Sequence, residues 1–530
     1  MNHLLQIGEY TIYMDDVYSS GPVIPTLRAK LGSAHFLARC VEKSVLTSKI
    51  QQFLKNEVEF LAKFECPYLI KVRHIHENDN YYVCIYEDCS TGPLSKMEGK
   101  LDEGKILCFL TQILKIACVL SVDDIALTAL TPDSIFVHVE NGNLFYKLST
   151  LIQNTSIDYR KNTEESPYFA PEIKNMSACV YSLGVLVTKL LSGTAKYVPE
   201  STSENLRHLI SRCLEENPVK RIPLEDIMFH PFMAEPKRLI KEYEIGKLLG
   251  EGDFAEVYLA TRLATKETVA IKQLKVQQAK LSLKFFDENT MLRYLFYLSR
   301  EIALMYSIAY STANKTGLSI LKDHFLGENV LYLVIEYCKG SALSSVLKLY
   351  PKGLPKALLY SYSKDLASCL SHLHAMKIAH RCLTPQHVLL TETEPEIARL
   401  KIASFGLSTK LHEEVGYMEQ IITSASYIPP EATNVGGGFE FSLSYDIWSY
   451  GVILYEMAFG VQPIHILKGE KEQQSLKINL MNKGKAKFIG REDLDGEFFE
   501  LIKNCLKVNK NERPSAASIL VCPLFNKIFI

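Results

Sequence analysis

The chain has 530 residues, too many for one ordinary core, so length alone argues for roughly two to four domains. Apolar residues make up 47% and charged residues 22%, with a formal net charge of −1, which is the composition of a soluble globular protein and gives no excess charge for nucleic acid or an anionic membrane. The 13 cysteines are scattered and never fall as C-x-x-C, so they read as reduced thiols of a cytoplasmic protein rather than a disulfide frame or a zinc site.

In chain order, the opening MNHLLQIGEYTIYMDD lacks a basic start followed by a long apolar core. The apolar stretch 291–310 is interrupted by Arg293, Arg300 and Glu301, so neither a signal peptide nor a membrane span is expected. From residue 125 onward the chain repeats itself. IALTALTPDSIFV (125–137) aligns with IAHRCLTPQHVLL (378–390), YKLSTLI (146–152) with LKIASFG (400–406), and YFAPE (168–172) with YIPPE (427–431). VYSLGVL (180–186) then answers IWSYGVI (447–453), and CLEENPVKRIPLEDIMFHPF (213–232) answers CLKVNKNERPSAASILVCPLF (505–525). Order is kept and spacing approximately so, which marks a duplicated domain with its boundary in AEPKRLIKE, 234–242.

Within the second copy, AEVYLATR (255–262) and TVAIKQL (268–274) are predicted strands, and LYLVIEYC (331–338) is apolar enough for a buried one. Residues 355–376 place apolar side chains at three- and four-residue steps, and SYDIWSYGVILYEMAFG (444–460) is apolar on every face, as a central helix is. The expected shape is α+β: a small sheet-rich lobe followed by a larger helical one. His372, His374 and His380 cluster in sequence, but they suit the end of a helix and a following loop better than a metal site.

LGEGDFAEV (249–257), followed by VAIK (269–272), resembles the glycine-rich loop and strand lysine of protein kinases. With HRCLTPQHVLL, YIPPE, DIWSYG and NERPS in register behind it, the second copy is identified as a member of the Ser/Thr-like protein kinase superfamily. The resemblance implies a fold of two tandem bilobal domains, 1–236 and 240–530, each with a small β-rich lobe and a larger α-helical lobe. It also implies that Leu249, Gly250, Gly252 and Val257 cover the phosphates of ATP and that Lys272 meets the α- and β-phosphates. Glu301 of SREIALM would hold that lysine, with Glu288 of FFDENTM as the alternative, and Glu336 to Cys338 would form the hinge that meets adenine through backbone groups. Asp446 would brace the catalytic loop, and Glu431 would pair with Arg513.

At the reaction centre the pattern departs from the family. Cys382 stands where the base belongs, His387 where a metal-binding Asn belongs, Thr384 where Ser/Thr kinases carry lysine, and Ser404 where DFG supplies a metal carboxylate. Loss of a general base alone costs about 10²- to 10⁴-fold in rate, and magnesium favours carboxylate and phosphate oxygen. No catalytic residue and no metal ligand is therefore assigned, and Cys382 reads as a tolerated small residue rather than a thiol nucleophile. Retention of Arg381 near TSASY (423–427) implies a site where an activation-segment phosphate could pair.

The first copy departs further. FLARC (36–40) puts Cys40 at the lysine position, LTA (127–129) replaces H-R-D, Ser134 replaces the Asn, and TLI (150–152) replaces DFG. LGSAHF (31–36) offers one glycine at the loop, Cys179 replaces the bracing Asp, and Glu57 has no lysine to serve, while Glu172 and Arg221 keep the structural pair. The reading is a tandem pseudokinase that acts as a nucleotide-binding regulatory or scaffolding protein. Its ligand is ATP, with weak or no magnesium dependence, and its partners are proteins, an active kinase among them, not nucleic acid or membrane. The alternative is an atypical protein serine/threonine kinase with residual ATP-dependent transfer.

Overall fold

The computed structural model describes residues 4–526 apart from 20–23, 45–47, 98, 124, 126–129, 150–167, 169, 171–175, 196, 252–254, 276–287, 329, 414–415, 419–424, 433–438 and 464–490. The chain forms two compact units. The first joins Met1–Leu239 to Lys275–Thr312 and Phe325–Leu331; the second joins Ile240–Leu274 to Ala313–His324 and Tyr332–Ile530.

The first unit begins with strands β1 (Leu4–Ile7), β2 (Tyr10–Ser19), β3 (Thr26–Leu31) and β4 (Ala34–Glu42), then helix α1 (Ser48–Leu61) and strands β5 (Val72–Glu77) and β6 (Tyr81–Glu87). They make one sheet in the order β1-β2-β3-β4-β6-β5. Period-two alternation places Leu27 and Ala29 of β3 in the core with Ile12, Ala38, Val83 and Ile85, while Arg28 points outward. The β3–β4 hairpin closes Leu31 against Ala34 through a two-residue turn, where Gly32 takes φ +59°. LGSAHF is thus the hairpin between β3 and β4, the third and fourth strands of the lobe, not its phosphate loop.

Below the sheet, β7 (Gly92–Pro93), β8 (Ile135–Glu140) and β9 (Asn143–Leu148) form a three-stranded sheet. The helices are α2 (Glu103–Ser121), α3 (Met176–Ser192), α4 (Glu204–Cys213), α5 (Leu224–Ile227) and α6 (Arg238–Glu242). Asp102 caps α2 by accepting the Lys105 N–H. By length and composition α2 could cross a membrane, yet it is a core helix: Ile106, Phe109, Ile113 and Ile116 are buried within the unit. Its buried Gln112 is satisfied by β9, accepting from Tyr146 N and donating to Leu144 O, each at 2.8 Å. A helix from the later sequence, α7 (Glu288–Tyr310), completes this unit and packs on α2 and α5.

A second sheet is made by β10 (Tyr243–Glu251), β11 (Ala255–Arg262), β12 (Thr268–Lys275), β13 (Leu321–Leu326) and β14 (Val330–Glu336), in the order β10-β11-β12-β14-β13. That is the order of β2-β3-β4-β6-β5, to which β1 adds an edge. Helices α8 (Leu343–Leu349), α9 (Lys356–Ala375), α10 (Ser444–Phe459) and α11 (Gly496–Cys505) follow. Between α9 and α10, β15 (Ile378–Ala379) pairs with β18 (Thr409–Lys410) and β16 (Val388–Leu390) with β17 (Leu400–Ile402). The predicted strands and helices of this region form within a residue or two of their expected ends.

One close approach recurs in both units. A methyl group on Gly184 of α3 would lie 2.8 Å from Cys213 Cβ and 3.0 Å from Leu214, and one on Gly451 of α10 would lie 2.8 Å from Cys505 Cβ and 3.0 Å from Leu506. These are Cβ atoms fixed to a neighbouring helix, with little room to yield. Gly451→Ala is expected to lower stability by about 1–3 kcal/mol through overpacking, despite alanine's better helix propensity. Urea unfolding of the full chain checks this, and a gain in stability would show that α10 and α11 can move apart at little cost.

Candidate functional site

Helix α10 organises the loop that follows α9. Asp446, fully buried, accepts His380 N at its Oδ2 and Arg381 N at its Oδ1, both at 2.8 Å, and its Oδ2 also meets His374 Nε2 at 2.9 Å. Two successive amides can face one carboxylate because Arg381 takes the left-handed conformation, φ +61°. Burial works against the Asp446 charge, but the hydrogen bond and charge of His374 and the influence of His380 outweigh it and hold the carboxyl below its ordinary range.

The His380 ring turns inward, with Nε2 at 3.0 Å from the Ala403 carbonyl and its edge on Phe405, 5.6 Å between centroids. Burial pushes its pKa down to about 4. Ser404 follows with φ +67°, so the ASFG turn keeps a left-handed residue at the place of the missing acid. The Arg381 side chain is 7% exposed, donates from Nε to the Leu407 carbonyl at 2.6 Å and lies over the Phe441 ring. Thr423 and Ser424, its expected phosphate-bearing partners, lie outside the described residues.

Cys382 and His387 are brought together. The His387 ring closes the loop, its Nδ1 at 2.6 Å from the Cys382 carbonyl and 3.3 Å from Thr384 Oγ1, and its own carbonyl accepts Ala403 N at 2.8 Å. A hydroxyl at 404, an imidazole at 387 and a thiol at 382 supply none of the carboxylates that magnesium favours, so this donor set does not fit that ion. Among the described residues no group of three or more His, Cys, Asp or Glu side chains could hold a metal.

Strand register gathers the phosphate-side residues. Gly250 of β10 pairs with Val257 of β11, and Val257 pairs with Lys272 of β12, forming one row across three strands. Leu249 precedes the row and is 39% exposed, while Gly252 lies outside the described residues. Glu301 is buried on α7; Glu288 begins that helix, and its side chain lies outside the described residues. Glu336 ends β14, its N–H donates to Ile320 O, and its carboxylate pairs with Lys401 of β17 at 2.5 Å, a partner that sequence reading missed. Burial and the Glu336 charge push the Cys338 thiol up to about 11, far from a reactive thiolate. Lower in the unit, Arg513 grips Glu431 with two bonds of 2.7 Å and stacks on Trp448, as the sequence leads one to expect.

In the first unit a one-residue correction changes the chemistry. Arg39, not Cys40, takes the place of the strand lysine. Its Nη1 lies 3.2 Å from both Glu57 carboxylate oxygens, with the two side chains 4% and 1% exposed. The same guanidinium reaches Thr26 Oγ1 at 3.2 Å and Ser149 Oγ at 3.4 Å and stacks on Tyr86. Burial opposes the Arg39 cation most strongly of any single cause, but Glu57 together with Tyr86 and Cys84 outweighs it and raises the pKa. Cys40, one position on, is half-buried, and burial pushes its thiol up to about 11. Glu57 therefore has a cation to serve, and that cation is fully engaged by protein. Ser134 closes its loop as His387 does, its carbonyl accepting Ser149 N at 2.8 Å. Arg221 donates to the Ser177 and Glu215 carbonyls, while LTA, TLI and Glu172 lie outside the described residues.

A five-stranded lobe with a glycine and lysine in one row, and a helical lobe whose buried Asp braces an H-R loop, define a protein-kinase-like fold. The protein kinase domain family matches residues 243–525, more than half of the chain, and the chain belongs to that family. It is 30% identical over 236 residues to CBL-interacting serine/threonine-protein kinase 2 of Arabidopsis thaliana, covering 44% of this chain and 46% of that protein. It is 27% identical over 285 residues to serine/threonine-protein kinase DCLK3 of Mus musculus, covering 53% and 33%. Against Citron Rho-interacting kinase of Homo sapiens it is 28% identical over 295 residues, covering 54% and 13%. The chain thus spans about half or less of the length of these curated relatives.

Two predictions follow from the charges. Arg39→Met, which strands Glu57 in the core, is expected to cost about 3–5 kcal/mol, and Arg39→Met with Glu57→Leu should recover most of it; urea unfolding of the parent, both single variants and the double variant reads the coupling. His380 stays neutral in the fold, with a pKa near 4 against 6.5 when unfolded. The unfolded chain therefore takes up more protons below pH 6.5, and stability complete above that value is lost as pH falls. Between pH 8 and pH 5 the loss assigned to His380 is about 2 kcal/mol, and His380→Phe should flatten the slope by that amount.

Proposed function

We propose that the chain is a cytoplasmic tandem kinase-like regulatory protein, in which residues 240–530 bind ATP without useful phosphate transfer and residues 1–236 are a degenerate copy that binds none. One observation carries the reading. The scaffold of a kinase site persists at Asp446, Gly250, Val257 and Lys272, while Cys382, His387 and Ser404 hold the places of its acid and amide groups. Duplication is supported by the shared strand order, by the Gly184 and Gly451 contacts, and by the matching Ser149–Ser134 and Ala403–His387 hydrogen bonds. The Arg39–Glu57 pair supports the absence of nucleotide from the first copy, because protein groups already complement its cation. No disulfide joins the 13 cysteines, which fits a reducing compartment.

A kinase domain binds ATP as a rule. Here the Lys272 ammonium and the backbone amides of the 249–257 loop would hold the phosphates, and neither needs a metal to do so. The names of two relatives state a protein partner, CBL in one and Rho in the other, which supports a role exercised through protein contacts. A second reading, weak Ser/Thr phosphotransfer, draws on the assembled catalytic-loop backbone and on relatives named as serine/threonine kinases.

ATP at 100 times its Kd would stabilise the folded chain by about 2.7 kcal/mol, a rise of about 5 °C or more in the melting temperature of the unit that binds it. The full chain should show that shift in ATP with a chelator nearly as fully as in ATP with magnesium, and Lys272→Met should abolish it. No shift in either buffer removes the nucleotide reading. Radiolabel transfer that exceeds the Lys272→Met background selects the second reading.

A further inference from the structure

Both sheets carry one extra residue at the same place. In the second unit Leu248 pairs with Tyr258 and Gly250 with Val257, so Leu249 bulges out of the β10–β11 ladder. In the first unit Val17 pairs with Leu27 and Ser19 with Thr26, so Tyr18 bulges out of the β2–β3 ladder. Register makes the two bulges equivalent: Thr26 accepts from Arg39 through its hydroxyl, and Val257 pairs with Lys272, whose place Arg39 takes. The two side chains differ in where they go. Leu249 is 39% exposed, whereas Tyr18 is 4% exposed. The Tyr18 hydroxyl donates to the Cys89 carbonyl, just past the end of β6, and the Gly92 amide faces the same oxygen.

The chain after β6 is the counterpart of the chain after β14. Glu87 ends β6 and pairs with Lys147 of β9 at 2.6 Å, as Glu336 ends β14 and pairs with Lys401 of β17. Thr91 N donates to the Val137 carbonyl at 3.2 Å as Gly340 N does to the Leu390 carbonyl at 3.1 Å, and Pro93 pairs with Phe136 as Ala342 does with Leu389. Tyr18 lies edge-on to the buried Phe136, ring centroids 5.3 Å apart, with Arg28 and Lys96 at 5.4 and 5.7 Å from its centroid. The next residue, Ser19, donates to the Asp133 carbonyl at 2.9 Å. A purine offers a ring with a donor beside an acceptor, and the phenol offers the same pair through one oxygen, giving its proton to Cys89 and facing the Gly92 amide with a lone pair. Burial, with Cys89 and Asp88, raises the phenol above its ordinary range against the opposing pull of Arg28 and Gly92, so that proton stays in place.

We infer that Tyr18 is an internal ligand of the first unit: its phenol fills the place between β2, residues 89–92 and Phe136 that would otherwise take a planar heteroaromatic base, and so closes it. The inference rests on the nucleotide reading above for the class of ligand only; the bonds of Tyr18 stand apart from it. A place closed by an occupant, unlike one that has lost its shape, opens when the occupant is removed. Tyr18→Leu carries the residue that stands at the equivalent bulge of the second unit, and Tyr18→Phe keeps the ring and removes only the hydroxyl.

Adenosine is the probe, and amide hydrogen exchange of the full-length chain locates where it binds. Without ligand, exchange over residues 89–92 should run at least tenfold faster in Tyr18→Phe than in the parent, with α2 unchanged as the control for global unfolding. With adenosine, the parent should gain protection over 336–341 and none over 89–92, while Tyr18→Leu should gain roughly tenfold protection or more over 89–92 as well. Unchanged exchange in Tyr18→Phe overturns the bond to Cys89 as the closure. Absence of protection over 89–92 in Tyr18→Leu overturns the internal ligand. Should Tyr18→Leu also release α2, Tyr18→Phe takes its place with adenosine, since its backbone groups at 89 and 92 have lost their partner, and absence of protection there overturns the proposal equally. If the parent gains no protection over 336–341 while Tyr18→Leu gains it over 89–92, the nucleotide reading of the second unit fails and the internal ligand stands.

Discussion

A single buried carboxylate sets the shape of the C-terminal site. Asp446 needs donors to remain charged in the core, and the amides of His380 and Arg381 supply them only when Arg381 adopts φ +61°. For a residue with a Cβ that conformation costs roughly 1–2 kcal/mol, and two charge-assisted bonds offset it. The turn so made delivers Cys382 and His387 into one loop and seats the His380 ring against Phe405. None of these steps requires an acid at 382 or 404. The brace is a condition of folding and does not depend on which groups stand at 382, 387 and 404. In the first copy Cys179 occupies the aligned place, and burial pushes its thiol up to about 12. A neutral thiol is a poor acceptor for two amides, and there the Ser134 hydroxyl secures its loop locally by bonding Thr131.

The two units treat the strand cation differently, and the difference is chemical. Lys272 carries a compact ammonium with three donors on a flexible stem. Arg39 carries a planar fork that reaches Glu57, Thr26 and Ser149 at once and lies flat on Tyr86. A lysine could not meet those partners together. Arginine at this register forms an internal ion pair that is part of the core. Glu431 and Arg513 show the same logic without any ligand history: the bidentate pair, backed by Trp448, holds the chain after the activation segment to the helical lobe.

Much of this was legible in the sequence because it depends on short patterns. Alternation gave β11 and β12, all-round apolarity gave α10, and the resemblance to protein kinases gave Asp446 and the Glu431–Arg513 pair. Register was harder. In FLARC both Arg39 and Cys40 are plausible at the lysine place, since a slip of one residue exchanges the faces of a strand, and only the meeting of Arg39 with Glu57 resolves it. LGSAHF was misplaced for a related reason: one glycine serves a two-residue hairpin as readily as a phosphate loop, and the added strand β1 shifts the count of strands before it. Lys401 lay hidden because a lysine in a three-residue strand carries no sign of the Glu336 it meets.

Lys115 was illegible for a deeper reason. Gln112, one turn earlier on α2, finds its partners on β9 of the same copy, so its polarity is explained locally. Lys115 meets Tyr68 from its own copy, but Tyr306 comes from a helix written almost two hundred residues later, on the far side of the sequence boundary. From Leu298 to Ile308 every residue of that helix except Arg300 is buried, and such a helix has no stable existence without packing on all its sides. A division of the chain at the repeat boundary would strip α7 of Lys115 and leave Lys115 in an apolar helix without its second ring. The repeat boundary read in the sequence and the bounds of the packed unit therefore differ, and the cation–ring contact at Lys115 lies where they part.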